Sequence, residues 1–132
     1  MNEHEDKIIG AFIIKEKQDR YRFLLESPGQ KRRGEGLNRL NHCQDLNSRY
    51  VTWWPSDTAI AWHLRREGSP EQVYVISGSD AIDGKMLPLD EAVEVAAMGG
   101  WGTIISCIPG QLAFYYDELG QRRALLKRKP GT

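Results

Sequence analysis

Cysteine is scarce in this chain, and long apolar runs are missing. Two cysteines, Cys43 and Cys107, among 132 residues cannot build the multi-bridge framework of a small secreted domain. Both are expected as free thiols in a reducing compartment, with one disulfide joining them as the alternative. The longest apolar stretch, Ile8 to Ile14, is seven residues long and contains a glycine, against the roughly 20 that a bilayer crossing requires. The opening MNEHEDK is polar and acidic and leads into no signal-peptide pattern, so the expected location is the cytoplasm. Motifs are as sparse as cysteines. The sequence holds no C-x-x-C, no His pair at metal spacing, no GxxxxGK[ST] and no GxGxxG, so neither a metal nor a small-molecule cofactor is expected.

Net charge is absent as well, since 18 Lys and Arg offset 18 Asp and Glu. The distribution is uneven. Residues 71–118 carry Lys85 alone against eight acids, whereas residues 119–132 carry five basic residues and no acid. A neutral total of this kind can hide an acidic face and a basic one, which bears on partners more than the isoelectric point does.

With 40% apolar and 27% charged residues, the chain has the composition of one globular domain spanning 1–132. Helical spacing of Ile9, Phe12 and Ile13, and again of Arg20, Phe23 and Leu24, predicts helix over Asp6 to Ser27 with a break near Lys15. The competing reading is a hairpin turning at Gln18-Asp19. A second helix is expected from Gln30 to His42, weakened by Gly34 and Gly36. Tyr50 to Trp54 reads as a short extended piece. Ser56 is the expected N-cap of a third helix, Asp57 to Arg66. QVYVIS, Gln72 to Ser77, is a strand followed by the loop GSDAIDGK, and a helix over Asp90 to Met98 closes at Gly99-Gly100.

Thr103 to Ile108 and Leu112 to Tyr116 have strand spacing, and Pro109-Gly110 suits a type II turn in a loop longer than two residues. Glu118-Leu119-Gly120 is a hairpin signal, and Arg122 to Arg128 is expected to return as an edge strand guarded by its charges. The fold class is therefore α+β: N-terminal helices on one face of a three- to four-stranded, mainly antiparallel sheet from the C-terminal half.

Each candidate site has a plainer structural explanation. Cys107 lies mid-strand among isoleucines, where burial opposes the thiolate that a nucleophile needs. His42 and Cys43 are adjacent, which on a helix points them about 100° apart rather than at one another. Asp80 and Asp83 are the best paired carboxylates. With His42 or His63 they could serve a small metal-dependent hydrolase or nuclease, while Asx-type turns account for them without chemistry.

Basic clusters at Lys31-Arg32-Arg33, Arg65-Arg66, Arg122-Arg123 and Lys127-Arg128-Lys129 would form a nucleic-acid surface if they converged. Trp53 and Trp54 must face opposite sides of an extended segment, so one of them, with Tyr50, is a candidate anchor for a partner. The leading expectation is a non-catalytic cytoplasmic accessory protein that binds another protein or a second copy of itself. A nucleic-acid accessory protein is the first alternative, and no membrane partner is expected.

Overall fold

The computed structural model describes residues 2–26, 30–40, 45–55, 58–118 and 122–129, with the side chains of residues 30, 31 and 40 outside that description. The first helices are α1, Glu3–Phe12, and α2, Lys15–Glu26. Asn2 caps α1 by accepting the backbone N–H of His4 at 2.7 Å, and Glu3, Glu5 and Asp6 sit in its positive first turn. The anticipated break falls at Ile13-Ile14. Ile13 is extended and bridges to Leu46, while Ile14 N–H donates to the Asp45 carbonyl at 2.9 Å. The backbone groups that leave the helix there are thus satisfied by residues 45–47.

Helix α3, Gln30–Leu40, crosses α2 at Gly36. A β-carbon on Gly36 would lie 3.0 Å from Leu25 Cδ2 and 3.1 Å from Leu24 Cβ. The glycine that weakens the helix in isolation is the one that lets the two helices approach.

The strands are β1, Val51–Trp54; β2, Gln72–Ser77; β3, Met86–Pro88; β4, Thr103–Ile108; β5, Leu112–Tyr116; and β6, Arg123–Lys127. Between them lie α4, Ile60–Arg66, and α5, Leu89–Gly99. The sheet order is β1-β6-β5-β4-β2-β3 with antiparallel neighbours. The class is α+β as expected, but the sheet has six strands and both faces are covered. One face packs Tyr74, Ile76, Ile104 and Tyr115 on Ile8, Ile9 and Phe12 of α1. The other packs Val73, Val75, Ile105 and Phe114 on Leu64 of α4 and on Leu89 and Ala92 of α5. Consecutive apolar residues in β2, β4 and β5 follow from this, because alternate side chains enter different cores.

Three further expectations need correction. Strand β6 is interior rather than an edge: β5 pairs on one side and β1 on the other. Its charges occupy the ends, while Ala124, Leu125 and Leu126 are buried. Helix α4 starts at Ile60 without a side-chain cap, later than expected, and Ser56 and Asp57 lie outside the described residues. The short β3 had no counterpart in the sequence reading.

Helix α5 closes at Gly100 with φ of +70°, as its glycine pair suggested. At Pro109-Gly110, Gln111 N–H donates to the Ile108 carbonyl at 2.9 Å and Gly110 has φ of +72°. This is a type II turn, and the register shift beside Cys107 absorbs its mismatch with strand twist. No helix among the described residues is long and apolar enough to cross a membrane.

Candidate functional site

The sheet ends at β1 on one side and β3 on the other. Strand β3 is three residues long, finishes in Pro88 and runs straight into α5, which blunts that edge. Strand β1 is different. At the two ends of β6, the Arg122 carbonyl accepts from Asp117 N–H and Arg128 N–H donates to the Gln111 carbonyl. Even-numbered residues of β6 therefore turn their backbone toward β5 and odd-numbered ones toward β1. The partners of Arg123 and Leu125 are Trp54 and Thr52, which leaves Val51 and Trp53 facing outward. Val51 N–H is taken by the Ser48 carbonyl. The Val51 carbonyl and both backbone groups of Trp53 have no partner among the described residues and face the open edge.

Aromatic residues surround that edge on both faces. Trp53, 44% exposed, carries the Arg122 guanidinium 3.9 Å above its ring. Tyr50, on the same side, packs edge-on against Phe12 and lies under Arg49 and Arg128 at 5.7 and 4.7 Å. On the opposite face Trp54 is half-buried against Phe114 and His63, with ring centroids 5.3 and 5.2 Å away. His63 in turn meets Trp62, which is 53% exposed and lies beneath Arg66 at 4.9 Å. The two adjacent tryptophans do split between faces. The sequence reading missed Trp62, although its place on α4, beside His63, was legible.

The basic clusters are scattered. Arg32 stacks on Phe23 at 5.0 Å and Arg33 is enclosed between Glu5 and Asp83, both on the α1–α3 side. Lys31 has no described side chain. Arg65 is held by Glu71 and Asp90, and Lys127 by Glu67. Arg65 and Arg66 belong to α4, across the sheet from Arg32 and Arg33. Arg122 sits over Trp53, and Arg123 over Tyr116 at 5.5 Å in the other core. Arg66, Arg122 and Arg123 thus join the β1 edge, Arg128 reaches it over Tyr50, and the other described members of the clusters do not.

A second polar feature, unseen in the sequence, lies under the start of α1. Glu5 is buried and takes both Arg33 Nη1 at 2.9 Å and Arg33 Nη2 at 3.0 Å. The same guanidinium grips Asp83 at 2.8 and 3.1 Å, and Asp83 also accepts Ser77 N–H at 3.0 Å. Tyr74 hydroxyl donates to Glu5. Burial first, and then that bond, raise the Tyr74 pKa above the ordinary phenol value. His4 stacks on the Tyr74 ring at 5.1 Å and shares a 2.7 Å hydrogen bond with Ser106 Oγ, and burial lowers its pKa.

Every member of this network is tied to another. The neighbouring cavity, lined mainly by isoleucines beside Glu5, is about 10 Å³, room for a single water. The arrangement is that of a structural clamp.

Asp83 therefore belongs to the clamp, while Asp80 is an exposed turn residue. Among the described residues no three His, Cys, Asp or Glu side chains converge as metal ligands. His42 and Cys43 lie outside them. Cys107 is buried, and desolvation pushes its thiol up to about 11. An open groove of about 510 Å³ runs between α1 and the Pro109-Gly110 turn. Its Arg22 pairs with Asp6 at 3.0 Å and its Arg128 bonds the Ala11 carbonyl at 3.2 Å. Comparison with protein-family models, with curated proteins and with solved structures gives no match to this chain.

Proposed function

We propose that this chain is a non-catalytic cytoplasmic accessory protein that binds another protein at the β1 edge. The observation that carries this reading is the coincidence, at one edge, of unused strand backbone with half-exposed Trp53 and Trp62 on either side. Exposed tryptophans beside arginines are the residues that dominate protein interfaces, each contributing on the order of 2 kcal/mol or more when centrally buried. A nucleic-acid reading draws on the same arginines, but bases need open ring faces to stack on. Guanidinium groups already lie over the faces of Trp53, Trp62 and Tyr50.

Photo-crosslinking tests the reading. A benzophenone amino acid replaces exposed Thr52 at the edge or, as control, exposed Glu94 on α5. Peptide adducts from position 52 and few from position 94 are expected in cells that carry the protein. Nucleotide adducts at position 52, or equal yields at both positions, would refute it.

A further inference from the structure

Taking protein binding at β1 as given, we infer that the occupant is an extended, acidic segment of a partner chain, laid along β1 as one more strand of the six-stranded sheet. The backbone argues for a strand. Trp53 can exchange two hydrogen bonds with an incoming residue, and the Val51 carbonyl can accept a third, which is the pattern of strand addition at an open edge.

The charges argue for acid. Arg49, Arg66 and Arg122 border the edge, each over an aromatic ring, and none has a carboxylate partner among the described residues. Of the acids near them in the chain, Asp45 accepts the Tyr21 hydroxyl, Glu67 holds Lys127 and Asp117 accepts the backbone N–H of Arg122, while Glu118 is exposed and pairs with none of the three arginines. Guanidinium groups held over rings keep their in-plane N–H donors available for a carboxylate.

The two faces also differ. Arg122 and Arg49 lie on the Trp53 side, whereas the other is mainly aromatic, with Trp54 against His63 and Trp62 beyond it under Arg66. An added strand alternates its side chains between these faces. Carboxylates at one parity and apolar residues at the other would match both. The same cations oppose a symmetric pairing of β1 with β1 of a second copy, because that would bring like charges together.

The test uses three octapeptides, alternating Glu-Val, Thr-Val and Lys-Val, and a thymidine oligonucleotide, titrated into the intact protein with amide exchange followed at Trp53. The Glu-Val peptide should bind roughly tenfold or more tightly than Lys-Val, lose most of that advantage at high salt, and slow exchange of the Trp53 amide. Replacing Arg122 and Arg49 by Glu should reverse the preference. Equal protection of Trp53 by all three peptides would overturn the acidic occupant while leaving protein docking at the edge intact. Binding of the oligonucleotide alone, self-association through β1 that excludes the peptides, or no edge protection by any peptide overturns the inference. If position 52 also gives no peptide adducts, the underlying reading falls with it.

Discussion

Arg33 and Arg65 each hold two carboxylates in a fork, with nearly the same geometry and in opposite surroundings. Arg33 meets Glu5 and Asp83 at 2.8–3.1 Å, with side-chain exposures of 22, 5 and 13%. Arg65 meets Glu71 and Asp90 at 2.7–3.1 Å, with exposures of 37, 67 and 72%. Hydrogen bonds to the carboxylates raise the pKa of both guanidiniums. Distances therefore do not separate the two; water does. Charges left unpaired in the Arg33 fork stay desolvated, whereas those of the Arg65 fork are rehydrated and screened. Reach differs too: Arg33 links α3 to α1 and to the loop after β2, across 28 and 50 residues of chain.

The largest expected effect is at Arg33. Arg33→Ala should cost about 3–5 kcal/mol in urea unfolding, because Glu5 loses its cationic partner in a buried site and keeps only the Tyr74 hydroxyl. A paired Arg33→Met and Glu5→Gln change should recover part of the loss, since the uncompensated charge is then gone. An Arg33→Ala cost no larger than that of Arg65→Ala would end the distinction.

The helix that carries Arg33 gives a smaller check. Gly36→Ala forces α3 away from α2 and should destabilise by about 1–3 kcal/mol. A β-carbon on Gly34 meets nothing within 4 Å, so Gly34→Ala should stabilise by roughly 0.5–1 kcal/mol. Only the Gly36 change should be non-additive with Arg33→Ala, because it displaces the fork.

Why one fork was hidden and the other nearly legible is a matter of chain distance. Arg65 and Glu71 lie six residues apart across a helix stop. Glu5, Arg33, Tyr74 and Asp83 come from four separate segments, and nothing in the sequence joins Asp83, notable there only beside Asp80, to the other three. Strand positions were readable because β2, β4 and β5 are apolar at consecutive residues. That same feature, together with the apolar stripes of α4 and α5, points to two covered faces, although only one was expected. Strands β1 and β3 are too short to carry periodicity: Tyr50 to Trp54 was readable as an extended piece bearing a candidate anchor, but its place at the edge of the sheet emerges only in three dimensions.

Titration distinguishes the forks next. The pKa of Tyr74 is raised in the fold, so its contribution is complete below the ordinary phenol value of 10.0 and declines as pH rises beyond it. That of His4 is lowered by burial, so its contribution is complete above 6.5 and declines as pH falls below that value. Cys107 adds a loss between about 9.0 and about 11, because its thiol is favoured in the fold. Burial raises the Tyr116 phenol to about 12 as well, so in a Cys107→Ala, Tyr116→Phe background Tyr74→Phe should flatten what remains of the alkaline limb of stability against pH. His4→Phe should flatten the limb below neutrality. Limbs unchanged by these substitutions would place the titrating groups elsewhere.

The smallest effect belongs to Arg65, and its form matters more than its size. Glu71 and Asp90 have lowered pKa values because Arg65 donates to them. Any stability this provides exists above their unfolded values and fades as pH falls through the folded ones. Both carboxylates are largely in water, so salt should screen the contribution at every pH. Arg65→Ala should therefore lower the melting temperature only slightly at low salt, and the shift should vanish in molar salt. The deficit of Arg33→Ala should survive the same salt, because ions do not reach Glu5. A salt-resistant loss at Arg65 would mean that the exposed fork also joins α4 to α5 as a clamp, and that burial alone does not rank the two.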